Sequence, residues 1–137
     1  MSVFVDTSAV FAFLDDDDAE HQTADRMWGQ LVDAAECLIT TNYVVLETAT
    51  LLQRRLGFWW VEQFETTALP LLSVVWVDEE VHNIAMRVVI ATHERELTLV
   101  DCTSFEIMRR LGVSHAFAFD KHFEERDFRL PPDLLQS

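Results

Sequence analysis

Short apolar runs alternate along this chain with longer segments whose apolar residues recur at helical spacing. Residues 1–5 form the first run, and residues 9–14 stay apolar without strand alternation, which indicates a short helix after a turn. Residues 38–40, 73–77 and 115–119 are the next predicted strands. This order predicts an α/β domain with a central parallel sheet and helices on both faces.

The longer periodic segments predict the remaining helices. They cover residues 19–35, 43–56 with Asn42 as N-cap, 58–69, a segment capped by Asp78 that runs to about residue 94, and a segment headed by Asp101 that stops before Gly112. Residues 97–100 fit a strand and a buried connector equally well, and residues 128–130 fit a last edge strand.

The length of 137 residues, without an internal repeat, low-complexity tract or linker, predicts one domain over residues 1–137. No apolar run approaches the roughly 20 residues of a membrane-spanning helix, and the first residues lack a basic region and a cleavage site, so we expect a cytoplasmic protein without membrane contact. Cys37 and Cys102 lack metal-ligand spacing, and we expect reduced, mostly buried thiols.

The charge balance limits the substrate classes. The chain carries 24 acidic and 10 basic residues, for a net charge of −14, and Lys121 is its single lysine. Broad nucleic-acid binding requires many cations to neutralise phosphates, so this balance argues against it. Cleavage of nucleic acid stays open if metal ions neutralise the site and a few arginines, or a basic partner, receive the backbone. The run Asp15–Asp18 is interpreted as a solvated turn.

Three aspartates follow apolar runs, at the positions where a parallel sheet binds ligands. Asp6 and Asp120 come directly after predicted strands, and Asp101 heads a helix, so we expect the three to converge. Helix capping explains Asp6 or Asp101 alone at least as well as catalysis does. Glu47 differs because it lies inside a predicted helix beside apolar residues, where a carboxylate costs free energy unless it is paired or metal-bound.

A cluster of carboxylates suits one kind of chemistry. Mg²⁺ binds through a few carboxylate oxygens while it keeps waters for exchange. A metal held in this way polarises a phosphodiester and lowers the pKa of a bound water, which removes the need for a Ser-His or Cys-His nucleophile.

Four sequence blocks carry a family resemblance: VFVDTSA at residues 3–9, TNYVVLET at 41–48, LVDCTS at 99–104 and AFDKHF at 118–123. Together they resemble, in order, the four blocks of the PIN-domain family, and most closely those of VapC-like toxins of toxin–antitoxin pairs. The resemblance implies a Mg²⁺- or Mn²⁺-dependent ribonuclease whose metal is held around Asp6, Glu47, Asp101 and Asp120. It also implies an RNA substrate and a cognate antitoxin, and we expect a homodimer.

Several neighbouring residues are candidates for supporting roles. Hydroxyl groups after the acids orient a carboxylate or cap a helix, and both interpretations stay open; the residues are Thr7, Ser8, Thr103 and Ser104. His122 adjoins Asp120 and is a candidate for substrate contact. Pairs of arginines near helix ends support the helix dipole or contact phosphate; they are Arg54, Arg55, Arg109 and Arg110. Phe58, Trp59 and Trp60 cannot all face one core, which predicts an exposed interaction patch.

Three alternatives remain. One is a stand-alone PIN nuclease of RNA processing, and a second is a catalytically silent PIN-like binding module, although such a module has no reason to retain four acids. The third is a phosphohydrolase with a nucleophilic aspartate after the first strand. That chemistry normally needs a second acid two residues later, where this chain has Ser8.

Overall fold

The computed structural model describes residues 1–34 and 36–132. Its sheet contains four parallel strands: β1 (Ser2–Val5), β2 (Cys37–Thr41), β3 (Ser73–Val75) and β4 (His115–Phe117). Their spatial order is β3-β2-β1-β4. The chain therefore adds β2 and β3 on one side of β1 and then returns to place β4 on the other side. This reversal leaves a crevice at the carboxyl ends of β1 and β4, where α/β sheets bind ligands.

Helices cover both faces of the sheet, as predicted. They are α1 (Thr7–Leu14), α2 (His21–Asp33), α3 (Asn42–Arg55), α4 (Phe58–Gln63), α5 (Glu79–Thr92), α6 (Leu99–Leu111) and α7 (Lys121–Glu125). Because successive strand residues point to opposite faces, Val3 and Val5 pack with α1 and α2 in one core, whereas Phe4 packs with α5, α6 and α7 in the other. Helix α3 contributes to both cores, through Leu52 and Val44 respectively.

The segment before α6 turns out to be a buried connector and a helix start. Leu97 is 1% exposed, and Thr98 is the N-cap of α6. Gly112 ends α6 with a φ of 66°, in the left-handed region where glycine carries no Cβ penalty. No strand forms over residues 97–100.

Two helix predictions are wrong in detail. Thr41, and not Asn42, caps α3: its side chain accepts a hydrogen bond from the Val44 amide at 3.2 Å. The Asn42 side chain instead accepts from the amide of Val77 at 2.7 Å, which ties α3 to the end of the β3 segment. Residues 58–69 are not one continuous helix, because α4 passes into a π-helical segment at Phe64–Ala68 and a 3-10 turn at Leu69–Leu71.

Other boundaries also differ. Helix α2 begins two residues later than predicted, and Ala35, its predicted last residue, lies outside the described residues. The predicted edge strand at 128–130 is reduced to a single bridge between His115 and Arg129. The expectation of buried thiols holds for Cys102 and fails for Cys37, which is exposed. Among the described helices, none has the length and apolar character needed to cross a membrane.

Candidate active site

Asp6 stands at the junction of β1 and α1, next to the crevice. It is the N-cap of α1 and is 3% exposed. Its Oδ2 accepts two hydrogen bonds from Ser8, one from the amide at 3.1 Å and one from the hydroxyl at 2.7 Å. Its Oδ1 is buried and has no hydrogen-bond partner among the described residues. A buried oxygen without a partner is costly, so this atom is the clearest sign of a role in binding a ligand.

Ser8 links the first and last strands at the site. While its hydroxyl donates to Asp6, it also accepts a hydrogen bond from the Phe119 amide at 2.9 Å. The Asp6 amide in turn donates to the carbonyl of Phe117, at 3.1 Å. These bonds fix the carboxylate of Asp6 against the end of β4. The structure thus gives Ser8 an orienting contact with an acid, one of the two roles considered from the sequence.

Asp101 belongs to a capping box and lies in the acidic crevice. Its Oδ2 accepts from the Thr98 amide at 3.1 Å, while its own amide donates to the Thr98 hydroxyl at 3.1 Å. The side chain is nonetheless buried, at 5% exposure. Asp101 therefore caps α6 and also lies close to Asp120, because the first turn of α6 points at the crevice.

Asp120 is the N-cap of α7 and forms a pair with His122. Asp120 Oδ1 accepts from the His122 amide at 2.9 Å and lies 2.8 Å from His122 Nδ1. His122 is 4% exposed, and its Nε2 lies 3.8 Å from Oε2 of Glu94. Ligand atoms of Asp101, Asp120 and His122 all lie within 4.8 Å of one another, close enough to share one metal ion.

Glu47 lies on the half-buried side of α3 and acts on the other acids through its charge. Its carboxylate is one of the charges that raise the pKa of both Asp6 and Asp101. Asp6 and Glu47 do not belong to the group of ligand atoms that lie within 4.8 Å of one another. They are linked to it by charge, because Asp6 interacts with Asp101 and Glu47 interacts with both.

Burial raises the pKa of two of the acids. Burial, ahead of the charges of Asp101 and Glu47, raises the pKa of Asp6 from 3.8 to about 7, although the bonds from Ser8 oppose this shift. Burial is also the largest cause that raises the pKa of Asp101 to about 6, and Asp120 and Glu47 add to it. The charged form of such carboxylates is stabilised when a cation binds beside them.

The remaining hydroxyl candidates bond elsewhere. Thr103 and Ser104 both donate to the Val100 carbonyl at 2.8 Å, inside α6. Thr7 donates to the Val44 carbonyl at 3.4 Å and accepts from Thr48 at 3.0 Å. These contacts serve the packing of the helices that carry the acids.

Two residues near the site were missed by the sequence reasoning. Glu94 reaches His122 from the loop after α5, and Thr48 bonds to Thr7 across two helices. Glu94 stands in a polar stretch without any motif, so no sequence signal identifies it. Thr48 could have been noticed, because a hydroxyl beside Glu47 and another beside Asp6 stand in equivalent positions after their acids.

Comparisons with known proteins point to one family. The PIN domain profile matches residues 3–129. The chain is 36% identical over 129 residues to the 23S rRNA-specific endonuclease VapC20 of Mycobacterium tuberculosis, in strains CDC 1551 / Oshkosh and ATCC 25618 / H37Rv, and the match covers 92% of this chain and 95% of VapC20. The crystal structure of Mycobacterium tuberculosis VapC20, described as a sarcin-ricin loop cleaving toxin, is similar with a TM-score of 0.81 and 35% identity, over 95% of this chain and 99% of that one.

A parallel α/β sheet with acids gathered at the ends of its strands, and a profile match over most of the chain, define one class of protein. The chain belongs to the PIN-domain family. The resemblance read from the four sequence blocks is thereby confirmed.

Proposed function

We propose that this protein is an endoribonuclease of the VapC toxin type, dependent on Mg²⁺ or Mn²⁺, with Asp6, Glu47, Asp101 and Asp120 as the acids of its site. The observation that carries the proposal is the buried, unpartnered Oδ1 of Asp6 within a cluster of mutually repelling carboxylates. Nothing in a merely structural role for Asp6 accounts for that atom, since capping uses Oδ2 alone.

The residues present fit a hard divalent cation. The donors are carboxylate oxygens, which Mg²⁺ and Mn²⁺ prefer, with one imidazole nearby on His122. Asp6, Asp101 and Asp120 would hold the ion, and Glu47 would add a fourth negative charge. A bound ion would polarise the phosphodiester, favour ionisation of an attacking water and stabilise the leaving oxygen.

The chain's own residues orient and charge this site. Ser8 holds Oδ2 of Asp6, which leaves Oδ1 for a ligand. Thr98 fixes the carboxylate of Asp101 in the same way. His122 contacts the carboxylate of Asp120 through Nδ1, and Oε2 of Glu94 lies 3.8 Å from its Nε2. Preorganised ligands lose little free energy to reorganisation when the cation binds.

The substrate is proposed by analogy with the similar protein. VapC20 is named as a 23S rRNA-specific endonuclease and as a toxin that cleaves the sarcin-ricin loop. The identity of 36% extends over nearly the whole of both chains, which supports RNA as the substrate class here. A loop of ribosomal RNA is the first substrate to test, because unstacked loop nucleotides are accessible to a small nuclease.

A cognate antitoxin is the proposed partner. Phe58 is 71% exposed and Trp59 is 58% exposed, on a protein of net charge −14. Exposed aromatic residues on an acidic surface fit a partner with a basic, partly apolar segment. A homodimer is also part of this proposal, and the exposed apolar surface supports it.

Cleavage of an RNA oligonucleotide containing such a loop tests the proposal. Wild-type protein should cut it with Mg²⁺ or Mn²⁺ and should not cut it in excess chelator. Asp6→Asn should abolish cleavage, while Asp25→Asn, at an exposed position on α2, should not. Undiminished cleavage in chelator, or by Asp6→Asn, would exclude the metal mechanism.

Glu47 has a separate test. Glu47→Gln keeps the shape of the side chain and removes its charge, so activity should fall while the melting temperature is retained. Glu62→Gln, at an exposed position on α4, is the matched control. A wild-type cleavage rate for Glu47→Gln would remove Glu47 from the site and leave the three aspartates.

A further inference from the structure

A cavity of about 680 Å³ lies beside Asp120, between the end of β4, α7 and residues 127–130. Asp120 lines it, and Asp120 also belongs to the acidic cluster, so the cavity adjoins the proposed site of cleavage. Its volume falls in the range of cavities that accept small ligands, about 300 to 1,000 Å³. The proposed chemistry of the acids does not use this space.

The outer wall of the cavity is fixed by hydrogen bonds. The Arg129 amide donates to the carbonyl of Ser114 at 3.0 Å, and the Ala116 amide donates to the carbonyl of Arg129 at 2.8 Å. The ring of Phe128 stacks on that of Phe105, with the two ring centroids 5.6 Å apart. Residues 127–130 are therefore held alongside β4, and the cavity is a built feature of the fold.

The charges on the cavity are unusual for this chain. Only ten side chains are basic, and two of them, Lys121 and Arg129, line this one cavity. Both are exposed. Lys121 pairs with Glu96 at 3.7 Å, but both groups are solvent-exposed, and such pairs contribute little.

Two arginines outside the cavity are held by closer contacts. Arg110 bonds to Glu106 and Glu80, whereas the guanidinium of Arg126 lies 5.0 Å from the ring centre of Phe105. Lys121 and Arg129 are thus well placed to receive phosphates next to the acidic cluster.

We propose that this cavity is the subsite for the RNA strand that flanks the cleaved bond, an inference that rests on the proposed ribonuclease function. Lys121 and Arg129 contact phosphates of the strand. A base lies against the apolar surface of Phe119 and Leu130, because stacking and apolar contact are the common way of holding unpaired bases. This subsite explains how a protein of net charge −14 receives a polyanion.

Three acids also line the cavity, Asp120, Glu124 and Asp127, so its acidic residues outnumber its two cations. These carboxylates repel phosphate, so in the proposed subsite the phosphates contact Lys121 and Arg129. Carboxylates accept hydrogen bonds from the amino groups of bases, which gives Glu124 and Asp127 a function toward the base. The lining of the cavity thus offers two cations for the backbone and acceptors for a base.

The test measures RNA binding without cleavage. A fluorescent single-stranded RNA of about ten nucleotides is titrated with the full-length protein in chelator, from about 50 to about 200 mM salt. Each phosphate contact contributes roughly 0.7 to the slope of log affinity against log salt. The double variant Lys121→Ala/Arg129→Ala should therefore lose about 1.4 of this slope, so that over this range wild-type affinity falls about sevenfold more than that of the variant.

The matched control is Arg26→Ala/Arg87→Ala, which has the same net charge and changes two exposed arginines outside the cavity. This control should keep the wild-type slope, and the charge-preserving double Lys121→Arg/Arg129→Lys should restore it. Equal slope changes in both alanine doubles, an unchanged slope in the cavity double, or no RNA binding by wild type would overturn the subsite. Failure of wild type to cleave RNA with metal would instead overturn the proposed function, because this binding assay does not depend on cleavage.

Discussion

The hydroxyl of Thr48 donates a hydrogen bond to the hydroxyl of Thr7 at 3.0 Å, across the interface of α3 and α1, and both side chains are almost fully buried. The hydroxyl of Thr7 in turn donates a hydrogen bond to the Val44 carbonyl. Thr7 directly follows Asp6, and Thr48 directly follows Glu47. The bond therefore joins the two segments that carry these acids.

Thr48→Val should disturb the site while retaining the shape of the core. Removing a group that orients metal ligands typically costs about 10- to 100-fold in metal affinity or activity. We expect a loss in this range for Mn²⁺ affinity, measured by calorimetry, and for RNA cleavage. The free energy of unfolding should fall by only about 1 kcal/mol, the usual contribution of one hydrogen bond.

Two variants make the Thr48 result specific. Thr48→Ser keeps the hydroxyl and should restore Mn²⁺ affinity, whereas Thr50→Val makes the same replacement at an exposed position on α3 and should change nothing. If Thr48→Val binds Mn²⁺ as wild type does, the bond serves packing alone.

The acids could be predicted from the sequence because their positions depend on chain order. Asp6 and Asp120 follow strands, and parallel strands end at the same edge of a sheet, so their placement at one edge follows from the fold class. The role of Ser8 could not be decided in this way. Its hydroxyl accepts from the amide of Phe119, 111 residues away, and only the folded structure brings the two together.

The wrong predictions also depend on contacts that only the folded structure forms. Thr41 and Asn42 are both good N-caps that differ little in free energy, and the tertiary contact of Asn42 with Val77 decides between them. Asp101 was weighed as either a cap or a site residue. It is a cap whose helix start happens to point at the crevice, a relationship that no local pattern contains.

The raised pKa of Asp6 predicts how stability depends on pH in the metal-free protein. The folded pKa is about 7, against 3.8 for the unaffected group, so the folded state holds the proton more tightly. Stability is then greatest below about pH 4 for this group and falls as the pH rises to about 7. Urea unfolding in chelator should show this decline in wild type, and Asp6→Asn should lack it.

Other carboxylates titrate in both proteins, so the difference between wild type and Asp6→Asn isolates Asp6. Asp101, whose pKa is raised to about 6, should contribute a smaller decline that both proteins share. Saturating Mg²⁺ should remove the decline in wild type, because the cation favours the charged carboxylates. A wild-type stability that increases relative to Asp6→Asn between about pH 5 and about pH 7 would contradict the assignment.

The exposed aromatic patch predicts where the antitoxin binds. Trp59→Ala should weaken binding of the proposed antitoxin by about tenfold or more, since buried tryptophans are frequent hot spots of interfaces. Trp76→Ala removes an even more exposed tryptophan, outside this patch, and should have little effect. Calorimetry with the purified partner measures both. Equal losses in the two variants would mean that the partner does not use Phe58 and Trp59.

Asp101 offers a test that separates the metal site from capping by stability alone. In chelator above about pH 7, Asp101→Asn removes a buried charge whose pKa is raised to about 6, and asparagine retains an oxygen for the Thr98 amide. The variant should therefore be as stable as wild type or more stable. Asp101→Ala loses the capping bond as well and should lie below Asp101→Asn by roughly 1 kcal/mol.

Mg²⁺ should reverse the order of wild type and Asp101→Asn. When the metal is about 100-fold above its dissociation constant, it should stabilise wild type by about 2.7 kcal/mol through mass action, and it should stabilise both variants much less. Melting curves of the three proteins, each with chelator and with Mg²⁺, give all the comparisons. Asp101 would be a helix cap and nothing more if Mg²⁺ left wild type unshifted and the alanine variant lost the same stability in both buffers, because a cap stabilises α6 whether or not metal is bound.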